Sequence, residues 1–206
     1  MPWDDNLLPG QREAASHSGT HARVLAGPGT GKTLTLTRHV CYLLEELHVP
    51  SAEVLVITFT RAAAAELRQR FEQRLGATER PAVLTLHSFA LRQLLRNSDF
   101  VSDLPRPLRI ADDWEERHIV QEDLKALLGL SRITQVQDLM HGLSADWQSL
   151  TADDEQWERR FPNPTFLGAW REHRSVYGYT LRDELAYQLK KMLEQRSDCE
   201  IAGPIR

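Results

Sequence analysis

The run Ala26–Thr33, AGPGTGKT, constrains the fold more than any other segment, because it joins a short apolar stretch to a helix-forming one. Gly27, Gly29 and Gly31 free the backbone to curl its N–H groups inward, and Pro28 and Thr30 fill the turn between them. A helix starting at Lys32 would aim its positive end at the same point. Such a loop cradles phosphates: Lys32 reaches the β- and γ-phosphates of a nucleoside triphosphate, and the Thr33 hydroxyl can ligate magnesium. Ala26 stands where the strict pattern has glycine, a change that strand-like negative φ tolerates. ATP with Mg2+, held by Ala26, Gly27, Pro28, Gly29, Thr30, Gly31, Lys32 and Thr33, is the expectation. A chance glycine-rich turn would lack the strand before it and the helix after it.

The surrounding pattern predicts an α/β fold, a parallel sheet with helices on both faces. Its first strand is Ala22 to Ala26, and a helix follows from Lys32 to about Leu47, ended by Val49-Pro50. The apolar, β-branched run Val54 to Phe59 reads as a strand buried on both faces, with a parallel neighbour. Thr60 can cap the next helix, where Ala64, Leu67, Phe71 and Leu75 recur at three or four residues before Gly76 stops it. A strand from Ala82 to Leu86 and a helix from about His87 to Arg96 complete three βα units. After Leu104-Pro105-Arg106-Pro107 the strand-like runs vanish, and helical segments carry Trp114, Trp147, Trp157 and Trp170. Two domains are expected, an α/β one over residues 1–100 and a mainly helical one over 101–206.

Charge and cysteine usage remove several function classes. The chain has 206 residues and a net charge of −4, so it does not grip nucleic acid by being basic overall. Only Arg61 to Arg80 is locally basic, with Arg61, Arg68, Arg70, Arg74 and Arg80 set against Glu66, Glu72 and Glu79, the pattern of a solvated helix face. Cys41 and Cys199 lie far apart without metal-ligand spacing, so neither a disulfide framework nor a zinc site is indicated. No apolar run approaches a membrane span, and a cytoplasmic protein is expected.

Further candidates lie near the strand ends. Gln11 carries an amide whose donor and acceptor could read adenine. Thr58, Phe59, Thr60 and Arg61 close the second strand at the edge where open α/β sheets bind ligands. His87 and Ser88, after Thr85-Leu86, repeat the design on the third. An aromatic ring can stack on a base while hydroxyls hold phosphates, which suits single-stranded nucleic acid, whereas the plain alternative for Phe59 and Phe89 is core packing. A phosphate-loop ATPase also needs a second acidic residue at the end of an apolar strand. Ile110-Ala111-Asp112-Asp113, Asp153-Asp154-Glu155 and Asp183-Glu184 do not sit in that context.

In order, LxPxQxxA, AGPGTGKT, VITFTRAAAAELRQR and TLHSF resemble the Q motif and motifs I, Ia and Ib of the UvrD/Rep family of superfamily 1 DNA helicases. The resemblance implies a partial RecA-like motor domain followed by a helical 1B-type subdomain, with Tyr179 to Leu193 similar to the DFxDLL-type segment that precedes the acidic strand. It implies that Gln11 recognises adenine, Lys32 and Thr33 hold phosphate and magnesium, Phe59 contacts a base, and Thr58, Thr60, His87 and Ser88 line the single-strand path. Three positions depart from the family's usual residues: Leu34 replaces an Arg, Arg61-Ala62 an Asn-Lys, and Leu8 an Asn. The sequence ends at Gly203-Pro204-Ile205-Arg206, where the family continues into DExxQD. The reading is an N-terminal portion that binds nucleotide and single-stranded DNA and needs a second motor domain to turn over. A stand-alone regulatory module and part of a RecB- or AddA-type nuclease-helicase are the alternatives. An AAA-type ATPase would need an acidic strand after the loop helix, and none follows.

Overall fold

The computed structural model describes residues 2–76, 80–101 and 103–195; Cys199, Glu79 and the stretch Gly203–Arg206 fall outside them. The chain divides into two compact units that meet in sequence between Leu86 and His87.

The first unit contains α1 (Pro9–Ala15), α2 (Lys32–Glu45), β1 (Leu55–Thr58), α3 (Arg61–Leu75) and β2 (Ala82–Thr85). Helix α1, which the sequence pattern did not announce, starts with Pro9 in its first turn, where the missing N–H costs nothing. Helix α2 stops at Glu45, two residues before Leu47. His48 turns to φ +53°, and the Val49 N–H folds back to the Leu43 carbonyl at 2.9 Å, closing the helix end before Pro50. Helix α3 begins as the sequence predicts: the Thr60 hydroxyl accepts from the Ala63 N–H at 3.1 Å.

Strands β1 and β2 pair in parallel, in register from Leu55↔Ala82 to Thr58↔Thr85. Val54, Val56 and Val83 lie on one face and pack with Val40 of α2 and Ala64, Leu67 and Phe71 of α3. Burial on both faces, expected for residues 54–59, is not what the unit builds. Ile57 points the other way and is 42% exposed, so within this unit the helices cover one face of the sheet. The Ala82 N–H bonds the Val54 carbonyl, so the Val83 peptide faces away from β1. Arg68 covers that outer edge, donating to the Val83 carbonyl from Nε at 3.1 Å and Nη2 at 2.7 Å.

The expected first strand is not formed. Residues 21–27 lie outside regular structure, with Val24 57% and Leu25 80% exposed. A strand exists only through pairing, and the described residues of this unit offer Ala22–Ala26 no hydrogen-bonded neighbour. The sheet therefore has two strands instead of three.

Helix α4 (Leu86–Arg96) leads into the second unit, which is helical as expected. A short α5 (Asp113–Glu115), capped by the Asp112 carboxylate, runs through a wide turn at Glu116–Val120 into α6 (Gln121–Leu127). There follow α7 (Ile133–Gln148), α8 (Trp157–Arg160), α9 (Pro164–Tyr177) and α10 (Glu184–Gln195). Trp147, Trp157 and Trp170 are buried in the larger of this unit's two cores with Phe161, Phe166 and Tyr179, while Trp114 is 62% exposed and stacks on His118. The smaller core joins α4 to α10 through Ala90, Leu94, Leu185, Leu189 and Met192. The one strand-like contact among the described residues of this unit is a bridge between Ile110 and Thr180.

Candidate functional site

The phosphate loop is built on two left-handed glycines. Gly29 has φ +73° and Gly31 φ +82°, a region where a side chain is strained, and Gly31 serves directly as the N-cap of α2. The first intrahelical bond runs from the Thr35 N–H to the Gly31 carbonyl at 2.9 Å. The amides of Lys32, Thr33 and Leu34 therefore precede the helical ladder and form the anion-binding end of the 14-residue helix. Thr30 braces the turn by donating from its hydroxyl to the Gly27 carbonyl at 2.8 Å. The Lys32 ammonium lies across the loop, donating to the Gly27 carbonyl at 2.7 Å and the Ala26 carbonyl at 3.3 Å. Lys32 and Thr33 are both exposed.

Gln11 is joined to this loop across 19 residues of sequence. Its Nε2 donates to the Thr30 carbonyl at 3.0 Å, and its Oε1 accepts from the Leu8 N–H at 2.9 Å. A Cβ at Gly31 would fall 2.7 Å from Gln11 Nε2, so the loop and the amide are shaped to one another. Helix α1 is held against α2 by His39 Nδ1 at 2.9 Å from the Ala15 carbonyl, and Arg38 donates to the Pro2 and Asp5 carbonyls at 3.2 and 3.1 Å. Sequence reasoning named Gln11 but missed α1 and its bracing. The signal was Leu8-Pro9-Gly10-Gln11, a proline in the first turn with an amide two residues on.

At the carboxyl end of β1, Thr58 is half-buried, and Phe59, Thr60 and Arg61 are exposed. Phe59 presents 83% of its surface, which removes core packing as its role. The surrounding basic stretch is mostly spent internally: Arg70 pairs with Glu66 at 2.6 Å, Arg80 with Glu72 at 3.1 Å and Arg74 with Glu45 at 3.2 Å. Arg74 also donates to the buried Cys41 thiol at 2.7 Å. Burial pushes that thiol's pKa up, and the Arg74 charge opposes the shift. His87, half-buried, and Ser88, exposed, lie in the first turn of α4, in the second unit.

With that geometry described, the chain can be set beside known proteins. Residues 7–199 match the family model for the UvrD/REP helicase N-terminal domain. The chain is 36% identical over 119 residues to the ATP-dependent DNA helicase UvrD1 of Mycobacterium leprae, covering 57% of this chain and 15% of that protein. It is 35% identical over 120 residues to the ATP-dependent DNA helicase PcrA of Bacillus subtilis, covering 58% and 16%, respectively. It is 34% identical over 124 residues to DNA helicase II of Salmonella typhimurium, covering 60% and 17%. The matched stretches thus span about a sixth of each curated relative. With its family match running over nearly its whole length, this chain belongs to the UvrD/Rep helicase N-terminal domain family.

Proposed function

We propose that this chain is the nucleotide-holding and single-strand-contacting part of an ATP-dependent DNA helicase that acts in the cytoplasm in DNA repair or replication. The observation that carries the reading is the loop itself: Gly31 opens α2 in the left-handed region, with the Lys32 ammonium and the first-turn amides gathered at one helix end. These residues fit a triphosphate. The amides and Lys32 would hold its phosphates, Thr33 its magnesium, and Gln11, already seated against the loop, its adenine. The ion supplies charge neutralisation when bound, while this chain's residues fix the phosphates in place.

Phe59 and the flanking Thr58, Thr60 and Arg61 would take the DNA strand, an exposed ring being the kind of platform on which bases stack. His87 and Ser88 would extend that path. The helical part, expected over residues 101–206, would act as a 1B-type subdomain on a RecA-like first domain that uses helices on both sheet faces. The exposed, unpaired Val24 and Leu25 support a sheet that completes itself with further strands, and a second motor domain would serve as the partner. Binding without appreciable turnover follows, because hydrolysis needs an acidic magnesium ligand and an arginine finger, neither assigned to this chain.

The test is calorimetry of Mg-ATP binding to the wild-type chain and to Lys32→Ala. Binding that falls at least tenfold in the variant is expected, and an unchanged affinity would sink the phosphate-loop reading. DNA-stimulated steady-state hydrolysis by this 206-residue chain would refute the binding-only part.

A further inference from the structure

The helical unit holds a cleft of about 980 Å³ whose floor includes Trp147, Trp170, Arg174, Glu184, Tyr187 and Gln188. That volume lies within the range of small-molecule sites. Two floor residues carry buried polar atoms without a hydrogen-bond partner, the Trp170 Nε1 donor and the Glu184 Oε2 acceptor. Both residues are more than nine-tenths buried, at 4% and 1% exposure. Leaving such groups unpaired costs about 1–3 kcal/mol each, so the arrangement calls for an occupant.

The two orphan atoms belong to one cluster. Arg174 Nη1 donates to Glu184 Oε1 at 2.6 Å, and Gln188 Nε2 donates to the same oxygen at 2.8 Å, which leaves Oε2 over. The Arg174 guanidinium carbon also sits 4.9 Å from the centre of the Trp170 ring. An occupant therefore has to offer one N–H and one acceptor close together. It should also be neutral, because the charges around it already pair: Arg171 with Glu158 at 2.5 Å and Lys191 with Asp103 at 2.8 Å. The aromatic residues of the floor favour a flat molecule.

We propose that this cleft binds a nucleobase by its hydrogen-bonding edge, the base N–H donating to Glu184 Oε2 and its ring or carbonyl acceptor receiving the Trp170 Nε1 proton. Nucleobases combine flatness, neutrality and an adjacent donor and acceptor. The base can come from a free nucleoside or from an unstacked position in a strand. The site does not depend on the phosphate loop, since no phosphate takes part.

The test follows the indole N–H resonances of the full chain by NMR, with Trp170 assigned by the signal lost in Trp170→Phe. Uridine, oligothymidylate and acetamide are the probes. A saturable shift of the Trp170 signal with uridine identifies a nucleoside site, and a shift with oligothymidylate alone identifies a base within a strand; either supports the proposal. Trp170→Phe, which keeps the ring and loses the donor, should weaken calorimetric binding of the same probe about tenfold. No shift with uridine or oligothymidylate, or an equal response to acetamide, means that ordered water fills the cleft, and the proposal fails. If the variant does not fold, hydrogen exchange of wild-type protein decides: uridine- or oligothymidylate-dependent protection of α9 and α10 supports the site, and unchanged exchange overturns it.

Discussion

The Gln11 side chain donates to the Thr30 carbonyl at 3.0 Å, so an amide on α1 is fastened to the loop that precedes α2. Gly31 is the residue this contact leaves no room to change. Gly31→Ala would strain a backbone at φ +82° by about 1–2 kcal/mol and drive its methyl group into Gln11 Nε2. The expected outcome is loss of Mg-ATP binding with a small fall in melting temperature. Adding Gln11→Ala should relieve the collision while the backbone strain remains. Calorimetry that finds Gly31→Ala binding as wild type would contradict the coupling.

Phe59 is the cleanest test of the strand-contact reading, because its exposure separates binding from folding. Phe59→Ala should leave the melting temperature unchanged and weaken binding of a fluorescent oligothymidylate by about 1–3 kcal/mol, the value of one stacked base. Equal affinity for the two proteins would assign the DNA path elsewhere.

Legibility in the sequence followed locality. The loop glycines, the Thr60 cap and the start of α3 depend on neighbouring residues, and all were readable from the chain. The parallel pairing of β1 with β2 was also readable, since a crossover helix between two apolar runs leaves little alternative. What pattern could not supply was pairing and facing. Val24 and Leu25 have strand composition but no partner in their unit, and Ile57 belongs to an apolar run yet lies on the face the helices leave open. The exposure of Phe59 was equally hidden, because an aromatic at a strand end looks the same in sequence whether it fills a core or meets solvent. Gln11 was visible as a residue, but its hold on Thr30 required knowing that α1 folds back onto the loop.

In the helical unit, Arg174 and Glu184 form an ion pair at 2.6 Å with both side chains almost wholly removed from solvent. Arg174 also donates to the Asp103 carbonyl, tying α9 and α10 to the segment that leaves α4. Arg174→Met should cost about 3–5 kcal/mol, since it strands the Glu184 carboxylate without its counter-charge. The double variant Arg174→Met/Glu184→Leu should recover most of that loss. Urea denaturation checks both. If the double variant is no more stable than the single, the pair's buried charge is not the source of the cost.

Two carboxylates of the same unit are expected to respond to pH with opposite sign. Burial pushes Glu116 above the usual carboxylate range, and the nearby Asp183 and Asp113 add to the shift. A raised folded pKa contributes stability that is complete below the unfolded value, about 4.3, and is lost as pH rises through the folded one. At pH 7 the ionised Glu116 is therefore a burden. Glu116→Gln should melt higher than wild type by about 1–3 °C at pH 7, the gap closing as pH falls through the raised pKa. Glu158 is the reverse, because a hydrogen bond from Arg171 holds it below the usual range. Its contribution is present above about 4.3 and disappears as pH falls through the lower folded value. Glu158→Gln should thus melt slightly lower at pH 7 and match wild type below that folded value, the effect staying small because the pair is exposed. Melting curves from pH 3 to 8 decide the matter, and gaps of the same sign for the two variants at pH 7 would show that burial and pairing do not govern these two groups as argued.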